Sequence, residues 1–251
     1  MTPTLSTLFT PAQKEQLAAA VRLRTSCRSY LPGLTQPQLA ALAYQAGRFC
    51  LPGARLALVR ADDTCFSDSL AGVTRITGCT LAAAIIAQDS SMQSVLHAGV
   101  IGEAFVLEAT AMGLGTCWVT GSLRRNLLPV KLQPGEELLC AIAVGQPAEP
   151  LTAPAARQRK APEQLCRGDW RAWPEQLVRA AALVQQAPSA LNLQPWTLHV
   201  DISGCFVLDS PVHAALEAGA ALCHAELALT TPHTWRFADA PGMPLATAIA
   251  R

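Results

Sequence analysis

Ten residues, Ala187-Pro188-Ser189-Ala190-Leu191-Asn192-Leu193-Gln194-Pro195-Trp196, hold the densest chemistry in this sequence. A proline-restricted turn presents one hydroxyl, two carboxamides and an indole. Each carboxamide carries a donor and an acceptor in one plane, so Asn192 and Gln194 suit the edge of a heteroaromatic ring that alternates the two. Two cationic clusters stand far upstream. Arg24-Thr25-Ser26-Cys27-Arg28 places two guanidiniums and a hydroxyl at alternating positions, and Arg157-Gln158-Arg159 is followed by Lys160. Forked, directional donors of this kind converge well on a phosphate monoester dianion. Taken alone, each cluster reads equally as solvated surface. A further segment, Ala111 to Gly121, includes Gly113, Gly115 and Gly121, which let backbone amides approach a ligand with no side chain in the way. Taken alone, it is a helix end leading into a strand. It is not the G-x-G-x-x-G of a dinucleotide fold.

These groups need elements to carry them. The chain has 251 residues, 51% hydrophobic and 15% charged, which allows a substantial core in one large or two small domains. Its alanine and leucine content favours helices. A formal net charge of +1 gives no general attraction to nucleic acid or an anionic membrane, so neither is expected as a partner. Met1 to Ser6 lacks the pattern of a signal peptide, and apolar runs such as Leu81 to Ala87 are too short to span a bilayer. Nine cysteines without a C-x-x-C pair read as reduced, buried residues of a cytoplasmic protein. The five histidines lack metal-type spacing, so no metal is expected.

Thr10-Pro11-Ala12-Gln13 and Thr35-Gln36-Pro37-Gln38 predict helices running to about Leu23 and Gly47. Arg55 to Val59 predicts a short strand, residues 61–80 give no clear pattern, and Leu81 to Ala87 reads as a buried strand or a helix segment. Ser94 to Met112 is helical and apolar nearly all round, which places it in the centre of a fold or at a large interface. Thr116 to Gly121 then reads as strand or loop, Ser122 to Leu128 as a short basic helix, and Glu137 to Val144 as a buried strand. Gln146 to Ala161 looks like a linker or wrapping arm, dividing a first half, 1–150, from an arm and shorter second half, 151–251. That second part predicts a helix from Trp173-Pro174 to about Gln186, strands Thr197 to Ile202 and Cys205 to Leu208, an apolar helix from Pro211 to Thr230, and a loosely held tail after Pro241. The halves echo each other. Ala46 to Val59 and Ala187 to Val200 share an order of helix end, turn and strand, and Ala98-Gly99 before Trp118 parallels Ala218-Gly219 before Trp235. The echo is an ancient duplication or a coincidence of alanine-rich helices.

In chain order stand Arg24 to Arg28, Gly113 to Trp118, Ala143-Val144-Gly145-Gln146-Pro147, Arg157 to Arg159, and Pro188 to Trp196. This series resembles the flavin-dependent nitroreductase family, with its R-x-S-x-R, G-L-G-[TS]-x-W, [IV]-x-x-G-x-P, basic-pair and P-S-x-x-N-x-Q-P-W elements. The last motif lies near the front of ordinary members. Its late position here is similar to the subgroup in which two nitroreductase-like halves are fused.

The resemblance implies an α+β, nitroreductase-like fold with a mixed β-sheet flanked by helices, internally duplicated as a pseudo-dimer. It implies FMN between the halves. Arg24, Ser26 and Arg28, with Thr25 among them, would meet the phosphate or the pyrimidine edge, and Arg157 and Arg159 the phosphate. Trp118, Val119, Thr120 and Gly121 would form the wall and backbone donors beside N5. Pro188, Ser189, Asn192 and Gln194 would contact ring and ribityl, with Trp196 as packing. The implied activity is ping-pong transfer of electrons from NAD(P)H through FMN to a nitroaromatic, quinone or related small aromatic acceptor, in a monomer acting as a pseudo-dimer or in a homodimer. The alternatives are a flavin-sequestering protein without turnover and a scaffold that binds no flavin. Two departures bear on the substrate side. Glu217-Ala218-Gly219 stands where an aspartate-glycine pair is common, and no asparagine precedes the central helix around Gln88-Asp89-Ser90-Ser91.

Overall fold

The computed structural model describes residues 3–66, 75–153, 157–238 and 243–250. Helices α1 (Pro11–Leu23) and α2 (Gln36–Arg48) begin at the expected capping boxes. The Thr10 and Thr35 hydroxyls accept from the backbone N–H of Gln13 and Gln38, and the two glutamine carbonyls accept from the threonine N–H groups in return. Strands β1 (Tyr30–Leu31), β2 (Cys50–Leu51), β3 (Ala54–Arg60) and β4 (Leu81–Ala87), helix α3 (Met92–Ala111), and strands β5 (Gly115–Val119) and β6 (Glu137–Pro147) follow. After the arm come helices α4 (Pro162–Leu165) and α5 (Glu175–Gln185), strands β7 (Thr197–Val200) and β8 (Phe206–Asp209), helix α6 (Ala215–Ala228), and strands β9 (His233–Phe237) and β10 (Ala246–Ala250).

The strands make two sheets by one plan. In the first, β3, β4, β6 and β5 are successive neighbours, with β2 beyond β3 and β1 sharing the free edge of β6 with β5. In the second, the order is β7-β8-β10-β9. Each is a run of strand, strand, helix, strand, strand, in which the fourth strand inserts between the second and the third. Pairing within both sheets is antiparallel; among the described residues parallel pairing is confined to isolated bridges, such as Ser26 to Thr116. β4 is central and buried on both faces. Leu81, Ala83 and Ile85 join the main core, and Ala82, Ala84 and Ile86 a second apolar cluster with Phe66, Val119 and Leu138. That two-sided burial is why the strand reads as an unbroken apolar run.

Helices α3 and α6 cross at two glycines. A Cβ on Gly99 would lie 2.0 Å from the Leu216 carbonyl oxygen, and one on Gly219 2.1 Å from that of Leu96. Each glycine lies three residues beyond the carbonyl that the other meets, so the contact is reciprocal, like the isologous interface of a homodimer. α3 has the length and mean hydropathy, 1.2, of a membrane-crossing helix, yet 89% of that window is buried inside the fold. Its apolar character is that of a core element.

Several boundaries differ from expectation. The segment after Pro241 is no loose tail: β10 is an interior strand, paired with β8 on one side and β9 on the other. Its alternating Ala-Thr-Ala-Ile-Ala is too small in side chain to look like a strand, and partners on both edges hold it. Ser122 to Leu128 forms only a 3₁₀ turn at Arg125–Leu127. The late apolar helix begins at Ala215, after a 3₁₀ turn, and ends at Ala228. Pro174 is the N-cap of α5, not part of its first turn. Within the patternless stretch 61–80, a 3₁₀ turn occupies Asp63–Cys65, while 67–74 lies outside the described residues, as do 154–156 of the arm and 239–242 around Pro241.

Candidate active site

The arm is stitched to two distant segments. Arg157 donates to the carbonyls of Val21, Arg22 and Arg24, at 3.0, 2.9 and 2.7 Å. These acceptors close the C-terminal end of α1, where a cation complements the helix dipole. Arg159 donates to Asn192 Oδ1 and to the Gln186 carbonyl, the latter at 3.2 Å. Lys160 donates through its backbone N–H to Gln194 Oε1 at 3.1 Å and through Nζ to the Gln194 carbonyl at 2.9 Å. The arm thus ties the end of α1 to the loop Ala187–Trp196, and with it the early arginines to the late amides.

That loop is held in an unusual conformation. Leu191, Asn192 and Gln194 have φ of 49°, 57° and 46°, left-handed values that favour glycine. The conformation persists because the loop is internally tied: Gln194 N–H donates to Ser189 Oγ at 2.9 Å, and Asn192 Nδ2 to the Gln158 carbonyl at 2.7 Å. Gln194 is buried, with both ends of its amide engaged by protein, so it braces the loop. Asn192 stays exposed beside Arg159, and Leu191 and Leu193 point to solvent. Pro188 and Ser189 are half-buried, and Trp196 is packed in the core.

Arg24 emerges from the end of α1 into this junction. Its side chain is 7% exposed, and its buried Nε has no hydrogen-bond partner among the described residues. The Nε of Arg159 is likewise buried and unpartnered. Burial, reinforced by the charge of Arg24, lowers the Arg157 pKa to about 10, and burial together with Arg24 also lowers that of Arg159. Three guanidiniums crowd one place, and the acidic side chain facing them is Glu103. Buried cations with orphaned donors call for an anion.

The rest of the first motif continues along β5. Cys27 N–H donates to the Thr116 carbonyl at 2.9 Å, beside the Ser26–Thr116 bridge, so Arg24–Arg28 lies along the Gly115–Val119 strand. Thr25 is half-buried, Ser26 exposed, and Arg28 half-buried with Nη1 3.3 Å from the Ser26 carbonyl. Trp118 packs against α3, where a Cβ on Gly102 would meet its ring at 2.3 Å. Val119 is buried; Thr120 and Gly121 are exposed just past the strand. The structure therefore brings together Arg24, Arg157, Arg159 and Asn192, with Trp118 on the adjoining strand β5 and Ser26 bridged to it at Thr116.

Two buried polar residues beside this junction escaped the sequence reading. Glu103, fully buried on α3, accepts from Trp118 Nε1 and from His224 Nε2, each at 2.9 Å. A carboxylate in a helix apolar nearly all round, one of two there with Glu108, was the available signal, because such a charge must be partnered. Its partner His224 had no signal, since α6 brings it there only through tertiary packing.

The twice-occurring strand-strand-helix-strand-strand plan is a nitroreductase-like α+β fold. The model of the family described as "Putative TM nitroreductase" matches residues 16–229, and the chain belongs to that family. Its structure is similar to the crystal structure of a "putative nitroreductase" from Thermotoga maritima, at 20% identity and TM-score 0.66, covering 93% of each chain. A "putative nitroreductase" from Desulfovibrio desulfuricans, solved in complex with FMN, matches at 24% identity and TM-score 0.42, covering 59% of this chain and 94% of that one. A "Putative NADH dehydrogenase/NAD(P)H nitroreductase" from Bacteroides thetaiotaomicron matches at 18% identity and TM-score 0.46, covering 59% and 95%. No curated protein matches the sequence.

Proposed function

We propose that this chain binds one FMN between its two halves, 1–150 and 151–251, and passes electrons from NAD(P)H to a small aromatic acceptor such as a nitroaromatic or quinone. The observation that carries the reading is Arg24: a buried guanidinium with an unpartnered Nε–H, flanked by Arg157 and Arg159. A phosphate monoester dianion suits this junction in charge and in donor geometry. Arg24 and Arg159 would hold the phosphate, and Arg157 would fix the end of α1 so that Arg24 stays in place. Asn192, exposed beside Arg159, would meet the ribityl or ring edge, with Pro188 and Ser189 alongside. Ser26 and Arg28 would continue the contact along β5, and Trp118 with the backbone of Val119, Thr120 and Gly121 would wall the ring. When bound, FMN supplies two-electron chemistry; the protein supplies binding, orientation and electrostatics. Exposed Leu191 and Leu193 offer apolar surface for a flat substrate at the same mouth.

The reciprocal α3–α6 contact supports reading one chain as the counterpart of a dimer, so we take the monomer to be the functional unit. All nine cysteines are free thiols, which suits a reducing compartment such as the cytoplasm. Anaerobic addition of NADH or NADPH to the flavin-loaded protein is expected to bleach its visible absorption, and a nitroaromatic or quinone to restore it. A loaded protein that neither nucleotide reduces would be a flavin carrier, not an oxidoreductase.

A further inference from the structure

We infer that His224 is a positioning residue: by engaging the Glu103 carboxylate from across the α3–α6 contact, it leaves Arg24 available to a dianionic phosphate ligand. The inference rests on the anion-site reading above and comes from comparing two carboxylates in the same chain.

Glu103 on α3 and Glu226 on α6 are both fully buried. Each accepts an indole N–H from the strand that follows its helix, Trp118 at 2.9 Å and Trp235 at 2.7 Å. Each also meets a histidine Nε2, His224 at 2.9 Å and His233 at 2.8 Å. The cations differ. Glu226 takes both indole and imidazole on Oε2, so Oε1 is left for Lys14, which donates to it at 2.5 Å and to the Leu229 carbonyl at 2.6 Å. Glu103 takes the indole on Oε2 but His224 on Oε1, the oxygen nearer Arg24 in their ion pair. Arg24 stands off at 3.9 Å with its Nε–H unpartnered. One cluster locks its cation; the other leaves it loose, and the oxygen chosen by the histidine makes the difference.

The hydrogen-bond inventory also fixes the charge of the pair. The Leu183 carbonyl only accepts, so His224 Nδ1, 2.8 Å away, carries a hydrogen and donates it. The Nε2–Oε1 contact then holds a second proton, on imidazole or on carboxyl. Either way Glu103 and His224 together are neutral, and the charge of Arg24, Arg157 and Arg159 remains for the ligand to balance.

The test is a double-mutant cycle on the full chain, read by calorimetric titration with FMN and, separately, with inorganic phosphate. His224→Gln keeps a neutral N–H toward Glu103 but removes the imidazole and its proton, which frees the carboxylate to pair with Arg24. Both ligands are expected to bind this variant about tenfold more weakly. Glu103→Gln still accepts from Trp118 and donates to His224 Nε2, and should bind within about twofold of wild type. The double variant has no carboxylate to compete, so affinity should return to within about twofold. A merely structural role for His224 would leave the double variant as weak as the single one or weaker. Thermal unfolding verifies that each variant folds, with His224→Asn as the replacement if His224→Gln does not. If wild type binds FMN and His224→Gln binds it equally well, or the double variant shows no rescue, the inference is overturned while the flavin site stands. If wild type binds phosphate but not FMN, the flavin reading falls and the His224 cycle is decided on phosphate. Binding of neither removes both.

Discussion

Replacing Arg24 by glutamine is expected to weaken FMN binding by about 3 kcal/mol, or roughly 150-fold, while raising the melting temperature of the ligand-free chain. The two effects share one cause. In the ligand-free fold Arg24 is a buried cation whose Nε–H has no partner among the described residues and whose ion pair with Glu103 is 3.9 Å long. Such a group opposes folding, and its neighbours Arg157 and Arg159 add like-charge repulsion. A neutral glutamine relieves about 1–2 kcal/mol of this, roughly 3–8 °C in a chain of this size. Glu103 loses nothing essential, because Trp118 and His224 satisfy both its oxygens. If Arg24 instead served the fold, the same substitution would lower both quantities. Thermal unfolding without ligand, together with an FMN titration, separates the two cases by sign.

The second large effect falls on the helix crossing. Gly219→Ala is expected to destabilise the chain by about 2–3 kcal/mol, lowering the melting temperature by roughly 5–10 °C. Helix propensity alone predicts the reverse, a gain of about 1 kcal/mol, since alanine is the better helix former. The structure decides against propensity because the added methyl would sit 2.1 Å from the Leu96 carbonyl, a backbone atom that cannot swing aside. Gly99→Ala meets the Leu216 carbonyl at 2.0 Å and should behave alike. Both changes push the same two helices apart, so the double substitution should cost less than the sum. A stabilised Gly219→Ala variant would mean that α3 and α6 do not cross there.

Local signals made much of this molecule readable from its residues. Capping boxes at Thr10 and Thr35 fixed two helix starts, and the apolar run at Leu81–Ala87 is the doubly covered central strand. The paired Ala-Gly steps of α3 and α6 read only as an echo between the halves; that the two glycines meet is seen in the fold alone. What remained hidden depends on tertiary partners. β10 carries small residues with little strand character and becomes a strand because β8 and β9 flank it. At the site, Arg24, Arg159 and Asn192 stood out by chemistry. The division of labour did not. Whether an arginine closes a helix, as Arg157 does, or keeps a buried donor unpartnered among the described residues, as Arg24 does, depends on which carbonyls the fold brings within reach. Gln194 and Asn192 look alike in the motif, yet one faces inward as a brace and the other outward.

The central claim is that the junction of Arg24, Arg157 and Arg159 is a phosphate site for a flavin nucleotide. Its most direct test is a paired titration of the ligand-free full chain with FMN and with riboflavin, which share the ring and ribityl chain and differ in the phosphate. The account predicts one FMN per chain, with riboflavin bound at least about 100-fold more weakly, the loss of roughly 3 kcal/mol of charged hydrogen bonding. Equal binding of the two would contradict it, because the arginines would then contribute nothing to recognition.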